Sequence, residues 1–404
     1  MTARVEGARQ SVDVCVLGKV IYPYRVAEQQ QDMATYVALR PWARRIYLVV
    51  TSRGARRHLS HYGNVVGLHV PLGQHPVAGV LRFWLIGFVI AWRLLRRRRV
   101  ALLMAAEPLV GGPLALLLRR MTGVPVLVHI QGNVFALPRR LFGTLRIAAT
   151  RRMAVGVARR ADRVRCISRE ALDECRGAGI PDDRLVLLPP RCDFDRFDPA
   201  RWTQERAVVR AELAITDDEL LILSIGSLTV HKGYGVLLEA FARLRGEAPH
   251  ARLVIVGAGP LEADLRSQAE RLGVASAVRL AGAMPYARVP ALLAAADVYT
   301  QPSFDEGIPR ATLEAMAMRV PVVASRVGGI PDVVVDGQTG VLVDAGDVAA
   351  LAAALGRLVR DPERRRGMAA VSRESVQPYS MQASITRLGA LLHETAGLAR
   401  SALA

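Results

Sequence analysis

The sequence predicts an α/β protein built from two doubly wound domains in series. Three observations carry this prediction. Short β-branched runs alternate with helix-length segments along both halves of the chain. The alternation breaks once, near 195–205, around Pro189, Pro190, Pro199 and an Asp-rich stretch, and then restarts. The 404 residues suffice for two domains, each of about 150–200 residues with its own core.

In the first half, Val12–Leu17 is a β-branched run ending at Gly18 and reads as a buried first strand, and Ile46–Thr51 reads as a second. Val77–Leu95 is apolar, of helix length, with scattered Arg, and the block Arg96–Arg99 follows it. Val100–Ala105 reads as a strand, Pro113–Met121 as a helix ended by Gly123, and Val124–Ile130 as a strand. Arg163–Ser168, Arg169–Ala178 and Arg184–Pro189 continue as strand, helix and strand. In the second half, strands are expected at Leu220–Gly226, Ala251–Gly257, Val278–Ala281, Val298–Gln301 and Val320–Ser325. Helices are expected at Gly235–Arg245, Pro260–Leu272, Val289–Ala296 and Ile308–Met318. This implies parallel sheets with helices on both faces, with ligands outside the carboxyl ends of the strands in a cleft between the sheets. The domains are assigned as 1–200 and 201–375, with a C-terminal helix over 376–404 returning to the first domain.

The formal net charge of +18 is uneven: residues 1–200 hold 32 Lys+Arg against 14 Asp+Glu, while the rest is balanced at 22 and 22. A basic half joined to a neutral half points to an anionic partner for the first half, or to arginines that serve solubility. Nucleic acid, an anionic membrane or a lipid pyrophosphate would each fit that charge, but no nucleic-acid-binding motif accompanies it. Cys15, Cys166, Cys175 and Cys192 lack metal or C-x-x-C spacing and read as free thiols of a reducing compartment. The first ten residues are polar and charged, unlike a signal peptide. The apolar run Phe83–Trp92 covers ten residues between Arg82 and Arg93, too short to span a bilayer.

The stretch Gln301–Glu314, QPSFDEGIPRATLE, carries the chemistry. A strand ends near Pro302, a loop holds Asp305, Glu306 and Gly307, and a helix begins around Ile308 with Pro309 in its first turn, where a missing N–H costs nothing. The helix start offers unpaired N–H groups and partial positive charge, an anion site. Glu306 and Glu314 frame it; eight residues of helix span roughly 12 Å, the reach from a sugar ring across a diphosphate to a ribose. Both carboxylates can accept hydroxyl hydrogen bonds, as the two ends of a nucleotide sugar require. The plainer reading is one glutamate favouring the helix dipole and one on the surface.

The stretch from Ala294 to Val334, AAADVYTQPSFDEGIPRATLEAMAMRVPVVASRVGGIPDVV, resembles the signature of the family-4 retaining glycosyltransferases of GT-B fold, with Glu306 and Glu314 on its paired glutamates. SIGSLTVHKGYGVLLEAF (224–241), VIVGAGPL (254–261), DGQTGVLVDAGD (336–347) and DPERRRGMAA (361–370) are similar to the family's other segments. ADRVRCISREAL and VLLPPRCDFDRFDP match more loosely. The resemblance covers about residues 160–385 well and the first 160 weakly.

The resemblance implies that Glu306 contacts the donor sugar and Glu314 the ribose, and that the Gly307 and Ile308 backbone faces sugar and phosphate. It also implies that Lys232 binds the donor pyrophosphate and stabilises charge on the leaving diphosphate, and that Gly257 and Gly259 let the backbone approach the nucleotide. Position 227 usually holds a second phosphate-binding arginine in the family; here it is Ser227, and Arg310 or Arg25 could substitute. Arg319 stands where the family usually has glycine, which reads as a changed turn. After the first strand the loop GKVIYPYRVAEQQ, opening at Gly18, lacks the family's glycine pair; Gly18 is placed at the donor, and Lys19 or Arg25 could supply charge. Gln131 falls on the family's histidine position, and His129 lies two residues earlier on the same strand face. Either could touch the donor sugar, though a lone strand histidine also suits a core.

The family reaction moves a sugar from a nucleotide diphosphate, here expected to be UDP- or GDP-linked, with retention and without an enzymatic nucleophile, unlike retaining hydrolases. The leaving phosphate takes the acceptor proton, and no metal or cofactor is expected. The basic first domain suggests docking on the inner face of the cell membrane and a lipid-linked acceptor in polysaccharide or glycolipid biosynthesis, hence a cytoplasmic, peripheral membrane enzyme. A soluble transferase acting on a small acceptor, and a non-catalytic GT-B binding protein motivated by Ser227, are the alternatives.

Overall fold

The structure, a computed structural model, describes residues 11–22, 31–52, 58–71, 76–97, 100–131 and 144–401. The chain divides into two compact units, Met1–Ile167 with Ala171–Leu188 and Ile385–Ala404, and Ser168–Glu170 with Pro189–Ser384.

The first unit runs β1 (Val12–Tyr22), α1 (Gln31–Ala38), β2 (Ala43–Ser52), β3 (His58–Tyr62), β4 (Val65–Pro71), α2 (Pro76–Arg97), β5 (Val100–Ala105), α3 (Gly111–Thr122), β6 (Val126–Ile130), α4 (Thr144–Ala158), β7 (Arg163–Cys166), α5 (Arg169–Gly177) and β8 (Leu185–Leu187). Its eight-stranded sheet has the order β3-β4-β2-β1-β5-β6-β7-β8 and is parallel except for β3, which pairs antiparallel with β4. The order reverses at β1, so β1 and β5 flank a topological switch point. Alternate strand residues Cys15, Leu17, Leu103, Ala105, Val126, Val128 and Val164 pack beneath α2, α3, α4 and α5 in one core.

The ten-residue estimate for the apolar run needs correction. Arg82 and Arg93 sit on the exposed side of α2 and do not interrupt it, so the helix is 22 residues long, about 33 Å. By length and composition alone it could cross a membrane. Its inner face, Phe83, Gly87 and Ala91, is buried in the core, and Trp84 Nε1 donates to Val110 O at 2.8 Å. Leu81, Leu85 and Val89, one turn apart, face outward and are 58%, 71% and 39% exposed.

The second unit runs α6 (Glu205–Glu212), β9 (Leu220–Ile225), α7 (Tyr234–Glu247), β10 (Ala251–Val256), α8 (Glu262–Arg271), β11 (Val278–Leu280), α9 (Val289–Ala295), β12 (Val298–Gln301), α10 (Arg310–Ala317), β13 (Val322–Ser325), β14 (Gly340–Val343), α11 (Val348–Arg360), α12 (Pro362–Ser375) and the start of α13 (Met381–Ser401). Its six-stranded parallel sheet has the order β11-β10-β9-β12-β13-β14, the 3-2-1-4-5-6 order of a Rossmann fold. The strands are apolar on both faces because both are covered. Leu221, Leu223, Tyr299 and Ala324 pack on one side with α6, α9 and α10, and Ile222, Ile255, Val298 and Val323 on the other with α7, α8 and α11. Residues of α13 from Ile385 onward belong to the first unit. There Gly389 lies against Trp42, where a Cβ would come within 2.3 Å of the indole, and His393 Nε2 sits 2.8 Å from Trp42 O.

The helix expected at Ile308–Met318 is shorter, Arg310–Ala317. Pro309 is extended (φ −69°, ψ 121°) and occupies the N-cap position, just outside the first turn, without a side-chain cap. Arg319 ends it with φ 59°, the left-handed conformation that glycine adopts most easily. The changed turn therefore keeps the glycine's geometry with an arginine in it.

Candidate functional site

In the second unit β9 and β12 are adjacent and their connections leave in opposite directions, so the loops at their carboxyl ends flank the switch point. The β9 loop delivers Lys232 and the β12 loop delivers Glu306. Lys232 Nζ donates to Glu306 Oε1 at 2.5 Å, with side chains 16% and 10% exposed. The same oxygen accepts from Gln301 Nε2 at 2.9 Å and from Ser303 Oγ at 2.7 Å. Tyr299 OH donates to Gln301 Oε1 at 2.7 Å, which fixes the amide so that its nitrogen faces the carboxylate. One carboxylate oxygen thus takes three donors, two of them from buried residues.

Glycines let these loops meet. Gly233, at φ 69°, lies so close to the β12 loop that a Cβ would fall 2.0 Å from Pro302 O. Phe304 N donates to His231 O at 2.7 Å and stitches the two loops together. The other side of the carboxylate loop is held by Gly328 and Gly329. A Cβ on Gly328 would fall 1.7 Å from Glu306 O, and Gly329 N donates to Gly307 O at 2.6 Å.

Gly257 and Gly259 are placed by protein backbone: Cβ atoms there would fall 1.8 Å from Gly226 O and 2.4 Å from Leu228 O. Their lack of a side chain is used in joining the β9 and β10 turns, where Leu228 N also donates to Ala258 O at 3.0 Å. Ser227 is exposed on the β9 loop, its Oγ 3.4 Å from Thr229 Oγ1, which is 3.4 Å from His231 Nε2. Hydroxyls and an imidazole therefore occupy the place of the family's second cation.

Glu314 lies within α10, 4% exposed, and accepts from Tyr286 OH at 2.7 Å. Burial, and then the Glu314 charge, push the Tyr286 phenol up, so it stays a donor. The Arg196 guanidinium lies 5.2 Å from the Tyr286 ring centroid. Only the residues from Arg310 onward are helical between the two glutamates, so the 12 Å helical spacing does not describe them. No side chain caps α10, whose first residue is the exposed Arg310; buried Ile308 and half-buried Gly307 lead into it. Burial, and then Glu306, raise the neighbouring Asp305 carboxyl above its ordinary range.

Of the residues assigned in the first unit, His129 and Gln131 stand at the end of β6, whereas Gly18 lies inside β1, which continues to Tyr22 and does not end at Gly18 as expected. Gly18 is buried, its Cα side against Ala106, where a Cβ would fall 2.8 Å from Ala106 Cβ. The helix start at this switch point is already filled: Glu107 accepts from Leu109, Val110 and Gly111 N–H at 2.7–3.1 Å. His129 is 5% exposed with no partner for Nε2 among the described residues, and burial, then Arg165, hold its pKa well below 6.5. Gln131, at the exposed end of β6, donates to Ala106 O at 3.2 Å. Arg25 and the Lys19 side chain lie outside the described residues.

Gln301, Ser303, Tyr286, Gly328 and Gly329 were not singled out by sequence reasoning. The last two stand in the quoted signature and carried the signal of a glycine pair beside a loop. The sequence has one Asp-x-Asp triplet, Asp193-Phe194-Asp195, whose Asp193 caps Arg196 N at 3.2 Å. Among the described residues no three His, Cys, Asp or Glu side chains are placed to hold a metal ion.

Residues 205–375 match the model of the glycosyl transferases group 1, and residues 5–191 match that of a glycosyl transferase 4-like domain. The chain is 38% identical over 220 residues to a GDP-mannose-dependent alpha-(1-6)-phosphatidylinositol monomannoside mannosyltransferase of Mycolicibacterium smegmatis, covering 53% of this chain and 57% of the relative. It is 36% identical over 234 residues to a D-inositol 3-phosphate glycosyltransferase of Corynebacterium jeikeium, covering 56% and 55%. The chain thus spans just over half the length of these relatives. In fold it is similar to sucrose-phosphate synthase from Thermosynechococcus elongatus (TM-score 0.80, 19% identity, 95% and 98% covered) and to Anabaena HepE solved with UDP (TM-score 0.75, 19% identity, 95% and 100% covered). With both halves of the chain matched, it belongs to the group 1, family-4 glycosyltransferases, and its two Rossmann-like units have the GT-B fold.

Proposed function

We propose that this protein transfers a sugar, with retention, from a UDP- or GDP-linked donor bound at the switch point of its second unit. The observation that carries the reading is the Lys232–Glu306 pair, held at that switch point by Gln301 and Ser303. In this reading the donor's diphosphate draws the Lys232 ammonium away from Glu306 and lies against the uncapped start of α10, over the Gly307 and Ile308 backbone. Glu306 then accepts from donor sugar hydroxyls, and Glu314, oriented by Tyr286, accepts from the ribose. Arg310, exposed at the same helix start, adds a second cation where Ser227 supplies none. The leaving phosphate takes the acceptor proton, and neutralisation falls to side chains and the helix end with no metal. Turnover undiminished in EDTA is the corresponding expectation.

The acceptor in this reading is lipid-linked, and the enzyme works on the cytoplasmic face of a membrane. The outward stripe Leu81, Leu85 and Val89 on α2, with Arg82, Arg93, Arg96 and Arg97 exposed on the same helix, supports an interfacial docking face. Names of the two relatives favour an inositol-bearing acceptor, lipid-bound in one and a small phosphate in the other. The test is nucleotide release from UDP- and GDP-sugars by the wild type and Glu306→Gln. Turnover lost in a variant that melts normally supports the assignment; unchanged turnover removes Glu306 from the site.

A further inference from the structure

The most basic stretch of the sequence belongs to the first unit and shares no residue with the donor site. Between residues 76 and 161 the sequence holds 15 Arg and a single acid, Glu107, which is consumed in capping α3. Four of these arginines, Arg151, Arg152, Arg159 and Arg160, line a cavity of about 600 Å³ with Val155, Gly156 and Ala178. Among the described residues no acidic side chain lines it. Three of the acids near it in the sequence are paired with other arginines: Asp162 with Arg119, and Asp173 and Asp182 with Arg176. None of the four guanidiniums has a carboxylate partner among the described residues.

The cavity is built, not merely charged. Arg151, Val155 and Arg159 follow one another at four-residue steps on α4 and the turn after it, and Arg152, Gly156 and Arg160 form the parallel row. Arg159 Nε donates to Ala178 O at 2.7 Å, which orients that guanidinium across the gap to the turn after α5. Arg160 folds back along the helix and donates to Gly156 O at 2.8 Å. A Cβ at Gly156 would lie 3.3 Å from Arg160 Nη1, so glycine, a weak residue for a helix interior, leaves the space that the guanidinium and the cavity occupy. Each oriented guanidinium keeps further N–H donors for a ligand. The two arginine pairs stand two turns apart, about 12 Å along the axis. Four like charges so close repel one another until an anion joins them.

We propose that this α4 cavity binds a ligand carrying a diphosphate or two phosphate groups, held by the arginines that line it. Guanidinium pairs bind phosphate oxygens in the fork geometry that makes arginine the usual residue for such groups. The volume is that of a small-molecule site and exceeds what a lone phosphate needs. The ligand is either soluble or the head group of a lipid, and the same donors serve both. The inference is independent of the donor-site reading, because no residue is shared.

Isothermal titration of the full chain with inorganic pyrophosphate tests the soluble source. Co-sedimentation with phosphatidylcholine vesicles, with and without phosphatidic acid, tests the lipid source. Both are run on the wild type, Arg151→Ala/Arg152→Ala, Gly156→Leu and Lys232→Met. Gly156→Leu keeps every charge and fills the cavity; Lys232→Met removes the cation proposed for the donor site and separates the two places. The expected result is a binding event kept in Lys232→Met and weakened at least about tenfold in both cavity variants at unchanged melting temperature. Pyrophosphate as the responding probe assigns a soluble ligand, and response only to phosphatidic acid assigns a lipid. Wild-type binding of both probes by both cavity variants overturns the proposal. Loss in the arginine variant alone also overturns it, since diffuse charge then suffices. Should Gly156→Leu melt early, Arg160→Gln takes its place with the same expectation.

Discussion

Replacing Lys232 with methionine keeps the length of the side chain and removes its charge. Lys232 Nζ lies 2.5 Å from Glu306 Oε1, and the pair is 16% and 10% exposed. Deleting one partner of a fully buried pair typically costs about 3–5 kcal/mol, because the other charge is left alone. Here Gln301 Nε2 and Ser303 Oγ still donate to the same oxygen at 2.9 and 2.7 Å. The carboxylate is therefore not orphaned, and a stability loss of about 1–3 kcal/mol is expected. Catalysis should suffer more. Losing one preorganised donor to a developing anion costs about 10²–10³ in kcat, and the leaving diphosphate has few other cations, with Ser227 in place of an arginine. The assay is donor turnover with kcat and KM resolved, beside a thermal melt. The double variant Lys232→Met/Glu306→Gln should recover much of the stability and none of the turnover. Turnover of Lys232→Met within about threefold of wild type, a difference well under 1 kcal/mol, refutes the role assigned to the lysine.

Three further outcomes follow from the same geometry. Tyr286→Phe removes a 2.7 Å hydrogen bond to the buried Glu314 carboxylate and should raise donor KM by about 3–10-fold, or roughly 1 kcal/mol, with kcat little changed. His129 has a folded pKa well below 6.5, so the unfolded chain binds the extra proton first. Stability should be full above pH 6.5 and be lost as pH falls toward the depressed folded value, at up to about 1.4 kcal/mol per pH unit; urea unfolding of His129→Leu at pH 5 and 7 should show a slope smaller by about one proton. Arg319→Gly relieves the left-handed φ of 59° and should add about 1 kcal/mol, raising the melting temperature of the unit by about 2–4 °C, with turnover unchanged.

Much of this could be read along the chain, because the second unit's strands are short β-branched runs buried on both faces. Val298–Gln301 stands where expected, and the strands expected at 220–226, 251–257, 278–281 and 320–325 end within a residue or two of those limits, while the edge strand Gly340–Val343 was not expected. The hairpin strand His58–Tyr62 was missed since an edge strand needs no apolar run; its Leu59 is 57% exposed. The length of α2 was missed because arginines on an exposed helix face look like boundaries in a linear reading. At the site, the lysine and both glutamates were legible from the motif. Gln301, Ser303 and Tyr286 were not, since partners of a carboxylate are chosen by folded proximity and Tyr286 lies 28 residues from Glu314. The purpose of Gly257 and Gly259 is not legible in the sequence either, because the backbone atoms they approach, Gly226 O and Leu228 O, lie some thirty residues earlier in the chain.

The central claim is that the switch-point pair in the second unit receives the diphosphate of a nucleotide sugar. A thermal-shift titration of the pure protein with UDP, GDP, ADP and their sugar conjugates tests it most directly. The account predicts that one nucleoside diphosphate and its sugars stabilise the wild type, by about 2.7 kcal/mol at 100 times the dissociation constant, and that the shift collapses in Lys232→Met. No shift with any of these ligands, or an equal shift in Lys232→Met, contradicts it.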